Sequence, residues 1–427
     1  MSKSDQSAGS KTGSSKRRPP YVIRLLLALC LVELGLILLL WWPAKAPRAT
    51  DFAPHPARPG DQAPREPYFA GRPGPWGELE YIRINLELPE EFVDGEEQII
   101  KPTRWFFPAT SREQLNQFFA TCNLNDAQRA ELNDARRWVV EPDGLAFEPS
   151  GDLILTLAQE ARTAIYSRLA QSKRNDYHAA PFAYRHGGLD DWLGNSGLSE
   201  ATRELVKRVV YERGAALCVS DLPELSRRIV DPTERRRLIK ALSRASALLM
   251  KVRVRPDTDT RGLTAYWGQG WHVKDIGPLL ESLTKVTNSI SIDVVHLLPP
   301  FARKRVNSYP TPLAPGQRAP DCYWSAFNFC NDPPDDRYFD DSVWRRELQE
   351  KYQLVEQPTF GDLVFLTRPD GVPIHCAVFI ADDVVFTKNG ANPRQPWKLM
   401  KLEDMLARYP ENYPLNMAFF HLRQPGP

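Results

Sequence analysis

Asp321-Cys322-Tyr323-Trp324 opens a stretch that reads as a helix, and Pro373-Ile374-His375-Cys376-Ala377-Val378-Phe379-Ile380 reads as a buried strand that begins near a histidine. A cysteine at a helix start, followed in the chain by a histidine at a strand start, suits thiol hydrolysis. The thiolate is the nucleophile, a neighbouring base takes its proton, and unpaired N–H groups at a helix start favour the anion. In that chemistry Cys322 attacks an amide carbonyl, His375 takes or shares the thiol proton, and backbone N–H groups near the sulfur hold the oxyanion until water releases the acyl-enzyme. Cys330, in Phe329-Cys330-Asn331, lies later in the same helix, where the field of the first turn has faded. A zinc site drawing on Cys322, Cys330, His375 and Cys376 is geometrically poor, because neighbours on a strand point to opposite faces. The sequence therefore offers no metal site, and it carries no cofactor fingerprint.

The elements that must position these two residues are legible nearby. A helix is expected over Tyr323 to Asn331 and another over Trp344 to Tyr352. Phe360-Gly361-Asp362-Leu363-Val364-Phe365-Leu366 reads as a turn and a strand, His375 starts the next strand, and Asp382-Asp383 forms the turn before Val384-Val385-Phe386-Thr387. A helix packed on a short antiparallel sheet results.

The order Asp-Cys at a helix start, Gly-Asp-Leu-Val-Phe before a strand, and His leading an alternating apolar strand resembles the NlpC-type cell-wall cysteine peptidases of the papain-like superfamily. The resemblance covers about the last 120 residues, from Asn307 onward. It implies that Cys322 is the nucleophile, His375 the base, and Tyr309 of Ser308-Tyr309-Pro310 the tyrosine of the oxyanion hole. The third polar residue, which orients the histidine, falls in Thr387-Lys388-Asn389-Gly390. Asn389 is chosen there for its chemistry, and Thr387 matches the spacing more closely. Tyr323-Trp324 stands where the family usually has Ser-Gly, and a Trp two residues after the cysteine looks more like the related CHAP amidases. The implied activity is a cysteine peptidase or amidase acting on peptide bonds of bacterial peptidoglycan, or on a protein substrate. A catalytically inactive domain of the same fold, binding wall peptides or a partner protein, is the alternative.

The remaining chain tells where such a unit would be held. Lys+Arg and Asp+Glu nearly balance, 55 against 53, so charge calls for no nucleic-acid partner. Six cysteines in 427 residues, without repetitive spacing, make no disulfide framework. Leu25 to Trp42 is an apolar run with Glu33 as its single charge, preceded by Lys16, Arg17, Arg18 and Arg24. Its length and the basic residues before it predict a transmembrane anchor with a cytoplasmic N-terminus. The protein would then be single-pass in the bacterial inner (cytoplasmic) membrane, with its C-terminal domain extracytoplasmic.

Nine prolines between Pro43 and Pro75 mark a spacer. Beyond it, Tyr81 to Leu88 alternates like a strand, and helices are expected over Ser111–Ala120, Asn125–Val139, Leu153–Leu169, Ser199–Leu217 and Asp231–Val252. The expected organisation is a cytoplasmic tail at 1–20, the anchor at 21–42, a Pro-rich linker at 43–76, a mainly helical domain at 77–260, a helical connector at 261–306 and the hydrolase-like domain at 307–427. The expected fold class is α+β, with an N-terminal transmembrane helix, a mainly helical middle domain and a C-terminal papain-like helix-plus-antiparallel-sheet domain.

Overall fold

The strand foreseen near Tyr81 runs from Glu78 to Leu86 and buries Leu79 and Tyr81. Its partner is unexpected. Ala245–Val254 pairs with it antiparallel along its whole length, flanked by Phe69–Ala70 on one side of the sheet and Ile290–Asp293 on the other. The helix expected over Asp231–Val252 therefore ends early. Asp231 caps it through Thr233 N–H, it spans Pro232–Leu242, and the chain then extends. Ala245–Val254 buries nearly every second residue, the period of a strand; a short apolar run fits either period until its partners are known.

The computed structural model describes residues 68–95, 102–185, 187–269, 273–314, 316–409 and 414–423, all of which fall within one compact unit spanning Pro47–Pro427. Several helix starts follow their caps. Ser111 and Asn125 each form a reciprocal capping box with a Gln three residues on, fixing helices Arg112–Thr121 and Asp126–Asn133. The expected helix Leu153–Leu169 forms as two, Gly151–Thr156 and Gln159–Leu169, whereas two others give way to strands before their expected ends. After Asn133 the chain forms the strand Trp138–Glu141, and after Val209 it forms Tyr211–Arg213 and Ala216–Val219.

Two further three-stranded antiparallel sheets arise in this region. The mainly helical middle domain is thus corrected to a mixed one. The strands Trp138–Glu141 and Tyr211–Arg213, whose starts helical spacing had absorbed, each pair in a hairpin with the following strand, and Tyr211 is buried there. Among the described residues the chain is mixed α/β, with fifteen α-helices and several antiparallel sheets.

The transmembrane helix, with the membrane contact and the inner-membrane placement drawn from it, is also corrected. Among the described residues no helix is long and apolar enough to cross a membrane. The run Leu25 to Trp42, the tail before it and nearly all of the Pro-rich linker lie outside the described residues.

Residues 352–422 build a six-stranded antiparallel sheet in the order Tyr352–Val355, Asn416–Leu422, Leu363–Thr367, Pro373–Ala381, Val384–Lys388, Trp397–Lys401. Apolar side chains cover both faces. Cys376, Val378, Ile380, Val384 and Phe386 join the core that holds Trp324, Ala326 and Phe327 of the short helix Cys322–Phe327. Ala377, Phe379, Val385 and Met400 form a smaller core on the other face.

The Asp382-Asp383 turn, with Asp382 at φ 58°, ties this sheet to the first. Tyr81 donates its hydroxyl to Asp382 at 2.9 Å, while Arg72 pairs with Asp382 and Lys401 with Asp383. Lys398, buried, reaches across to donate to the Ser246 carbonyl at 2.8 Å.

Candidate active site

Asp321 caps the Cys322 helix. Its side-chain oxygen accepts from Trp324 N–H at 2.8 Å, and Ser325 donates to the Asp321 carbonyl at 2.6 Å, so the first turn is closed twice. Cys322 is thereby fixed at the start of a helix that packs on the strand Pro373–Ala381, where the Cys376 N–H, the peptide directly after His375, acts to lower the thiol's pKa. Its own N–H and that of Tyr323 act in the same direction. Burial dominates over these donors. The thiol is pushed up to about 12, with the neighbouring Asp321 carboxylate raising it further.

His375 enters from the strand Pro373–Ala381. Pairing of this strand with Val384–Lys388 begins at Val378, so His375 and Cys376 lie where the two strands part. Alternation decides the rest. Cys376 is in step with Val378 and Ile380 and faces the Cys322 helix, whereas His375 is in step with Ala377 and Phe379 and turns to the far face. There Nε2 meets Thr387 Oγ1 at 2.8 Å and Nδ1 meets the Tyr409 hydroxyl at 2.8 Å. No hydrogen bond joins the imidazole to Cys322 among the described residues. With 0% of its surface exposed, His375 is held neutral, its pKa lowered by burial to about 3.

The structure thus sets Cys322 beside the backbone of His375, with the imidazole engaged elsewhere. Thr387, not Asn389, meets the imidazole, because the hydroxyl two residues earlier is the one diagonal to His375 across the hairpin. Asn389 is enclosed, with neither amide atom hydrogen-bonded among the described residues. Its neighbour Lys388 folds back to donate to the carbonyls of Gly390 and Asn392, at 2.7 and 2.9 Å, and burial lowers its pKa to about 8.

Tyr309 also lies elsewhere. Its hydroxyl donates to the Leu86 carbonyl at 3.3 Å and its ring packs beside Phe92, against the core of the middle region. Asp362 does serve its turn: it accepts from Thr359 N–H at 2.8 Å, and His421 bonds its other oxygen at 2.6 Å.

Tyr409 is the residue that sequence reasoning missed. It lies 34 positions beyond His375, after the short helix Leu402–Leu406, and no local pattern joins the two. No protein-family model matches the chain, and no curated protein or solved structure is significantly similar to it. The likeness to NlpC-type peptidases therefore rests on the sequence motifs alone.

Proposed function

We propose that residues 307–427 form a thiol hydrolase of amide bonds, with Cys322 as nucleophile, His375 as base and Thr387 orienting the imidazole. The observation that carries this reading is the packing of the Cys322 helix on the face of the strand that carries His375 and Cys376, while Thr387 holds Nε2 of His375 at 2.8 Å. In the reaction the Cys376 and Tyr323 N–H groups favour the thiolate at 322, which attacks the carbonyl carbon; the leaving amine takes the proton that His375 accepted, and water then releases the acyl group. Peptides of bacterial cell-wall peptidoglycan are the substrate class that the motif resemblance implies. Tyr309 has no part in this version of the site.

A second reading, a non-catalytic domain of the same build that binds peptides or a partner protein, draws support from the resting state of the pair. A thiol near 12 and an imidazole near 3, both buried, do not exchange a proton as they stand. Release of soluble peptides from purified wall material by the full chain, lost in Cys322→Ala, supports the hydrolase. Retention of the chain on the same material without any release, unchanged in Cys322→Ala, supports the binder.

A further inference from the structure

We propose that Lys388 supplies the positive charge that stabilises a thiolate at Cys322. The inference rests on reading Cys322 as the nucleophile and adds the group that makes its anion accessible.

The helix Cys322–Phe327 packs on two strands, Pro373–Ala381 and Val384–Lys388. On the second strand alternation sorts the side chains. Val384 and Phe386 join the core under the helix, and Lys388 is in step with them, whereas Thr387 turns to the far face with the imidazole. Three links fix where along the helix Lys388 lies. It pairs with Trp397 across the strands, the Trp397 indole donates to Ser325 Oγ at 2.8 Å, and Ser325 donates to the Asp321 carbonyl at 2.6 Å. Lys388 is thus set beside the first turn of the helix, whose first residue is Cys322. The ammonium lies on the helix side of the sheet and the imidazole on the other.

Lys388 is fully buried and has no carboxylate hydrogen-bonded to it among the described residues. Its ammonium donates to the Gly390 and Asn392 carbonyls at 2.7 and 2.9 Å, which leaves one of its three N–H bonds uncommitted. Enclosing a charge among dipoles alone is costly, and burial accordingly lowers its pKa to about 8. At pH 7 the group is still mainly protonated. An anion formed beside it offsets that cost, and charges on Cys322 and Asp321 act in that direction. The other ionisable groups around the sulfur give no such help. The Asp321 carboxylate opposes a thiolate, and Tyr323, Cys376 and Tyr409 are all pushed up by burial and stay neutral. Lys388 takes no proton in this role; it acts through its charge.

The test is the rate at which iodoacetamide alkylates Cys322 in the full chain, the thiolate displacing iodide, read by peptide mass spectrometry between pH 6 and 11. Lys388→Gln keeps a donor for the two carbonyls and removes the charge, whereas Lys388→Arg keeps the charge. Each is made alone and in a His375→Ala background. Lys388→Gln is expected to slow alkylation about tenfold at pH 7 and to move the midpoint up by about one pH unit, the lower end of what one nearby opposite charge produces. Lys388→Arg stays near wild type. The same tenfold loss is expected without His375, since the charge acts independently of the base. Should Lys388→Gln not fold, Lys388→Met is read in the same way. A folded Lys388→Gln with the wild-type rate and midpoint, or an arginine variant as slow as the glutamine one, reduces Lys388 to a support of its turn and overturns the proposal while Cys322 stands as nucleophile. A Cys322 that stays unreactive in every folded variant overturns both.

Discussion

Thr387 Oγ1 stands 2.8 Å from Nε2 of His375, twelve residues away across the hairpin that turns at Asp382-Asp383. Both groups are buried, so neither has water as a substitute partner. Thr387→Val keeps the shape and removes the acceptor. Leaving a buried donor unpaired costs about 1–3 kcal/mol. The variant is therefore expected to unfold at lower denaturant, and in the proposed hydrolase its kcat/KM falls roughly five- to 150-fold, the same energy expressed as a rate. Thr387→Ser retains most of both. Equal activity in the valine and serine variants would remove Thr387 from the site.

Two buried histidines make the fold sensitive to acid. Burial lowers His375 and His178 to about 3 from their usual value of 6.5. Between these values the unfolded chain takes up protons that the folded chain refuses. Stability is then fully present above about pH 6.5 and is lost as pH falls toward 3. Urea midpoints between pH 7 and 4 should show this decline, and His375→Gln should make it shallower. A flat profile over that range would contradict the burial of both rings.

Asp321 acts on the Cys322 helix in two separable ways. Its oxygen caps Trp324 N–H, and its charge raises the thiol's pKa. Asp321→Ala removes both, at about 1 kcal/mol of stability for the lost cap. Asp321→Asn keeps a capping oxygen and removes the charge. The asparagine variant is expected to hold wild-type stability and to alkylate Cys322 at lower pH. Thermal unfolding together with a pH series of alkylation rates checks the two effects.

Arg162 and Asp221 form an ion pair 1% and 0% exposed at 3.0 Å, completed by the Tyr166 hydroxyl and by carbonyls of Ile154 and Arg208. Burial pushes Asp221 up to about 6 in spite of the arginine. Arg162→Met strands the carboxylate and should cost about 3–5 kcal/mol in denaturant unfolding. The double variant Arg162→Met/Asp221→Leu should recover much of that. A single variant as stable as wild type would mean that the pair is not closed to water.

The sequence by itself determined the order of Cys322 before His375 and these local signals: helix starts at Ser111, Asn125, Asp231 and Asp321, the alternating strand through Tyr81, and the turn at Asp382-Asp383. Each is written within a few consecutive residues, where backbone donors and side-chain period are set by neighbours in the chain. Only the tertiary structure decided that Ala245–Val254 is a strand, since an apolar run of that length fits two periods until Glu78–Leu86 pairs with it. The same holds inside the site. Spacing favoured Thr387 and chemistry favoured Asn389, and the diagonal across a paired hairpin settled which one meets the ring. Tyr309 lies away from the place expected of it, and Tyr409, for which nothing was expected, meets His375, because their positions depend on packing against distant elements, the Leu86 carbonyl for one and His375 for the other. A strand's pleat fixes the face on which an imidazole lies, but a phenol arriving from 34 residues away is placed only by the fold that carries it.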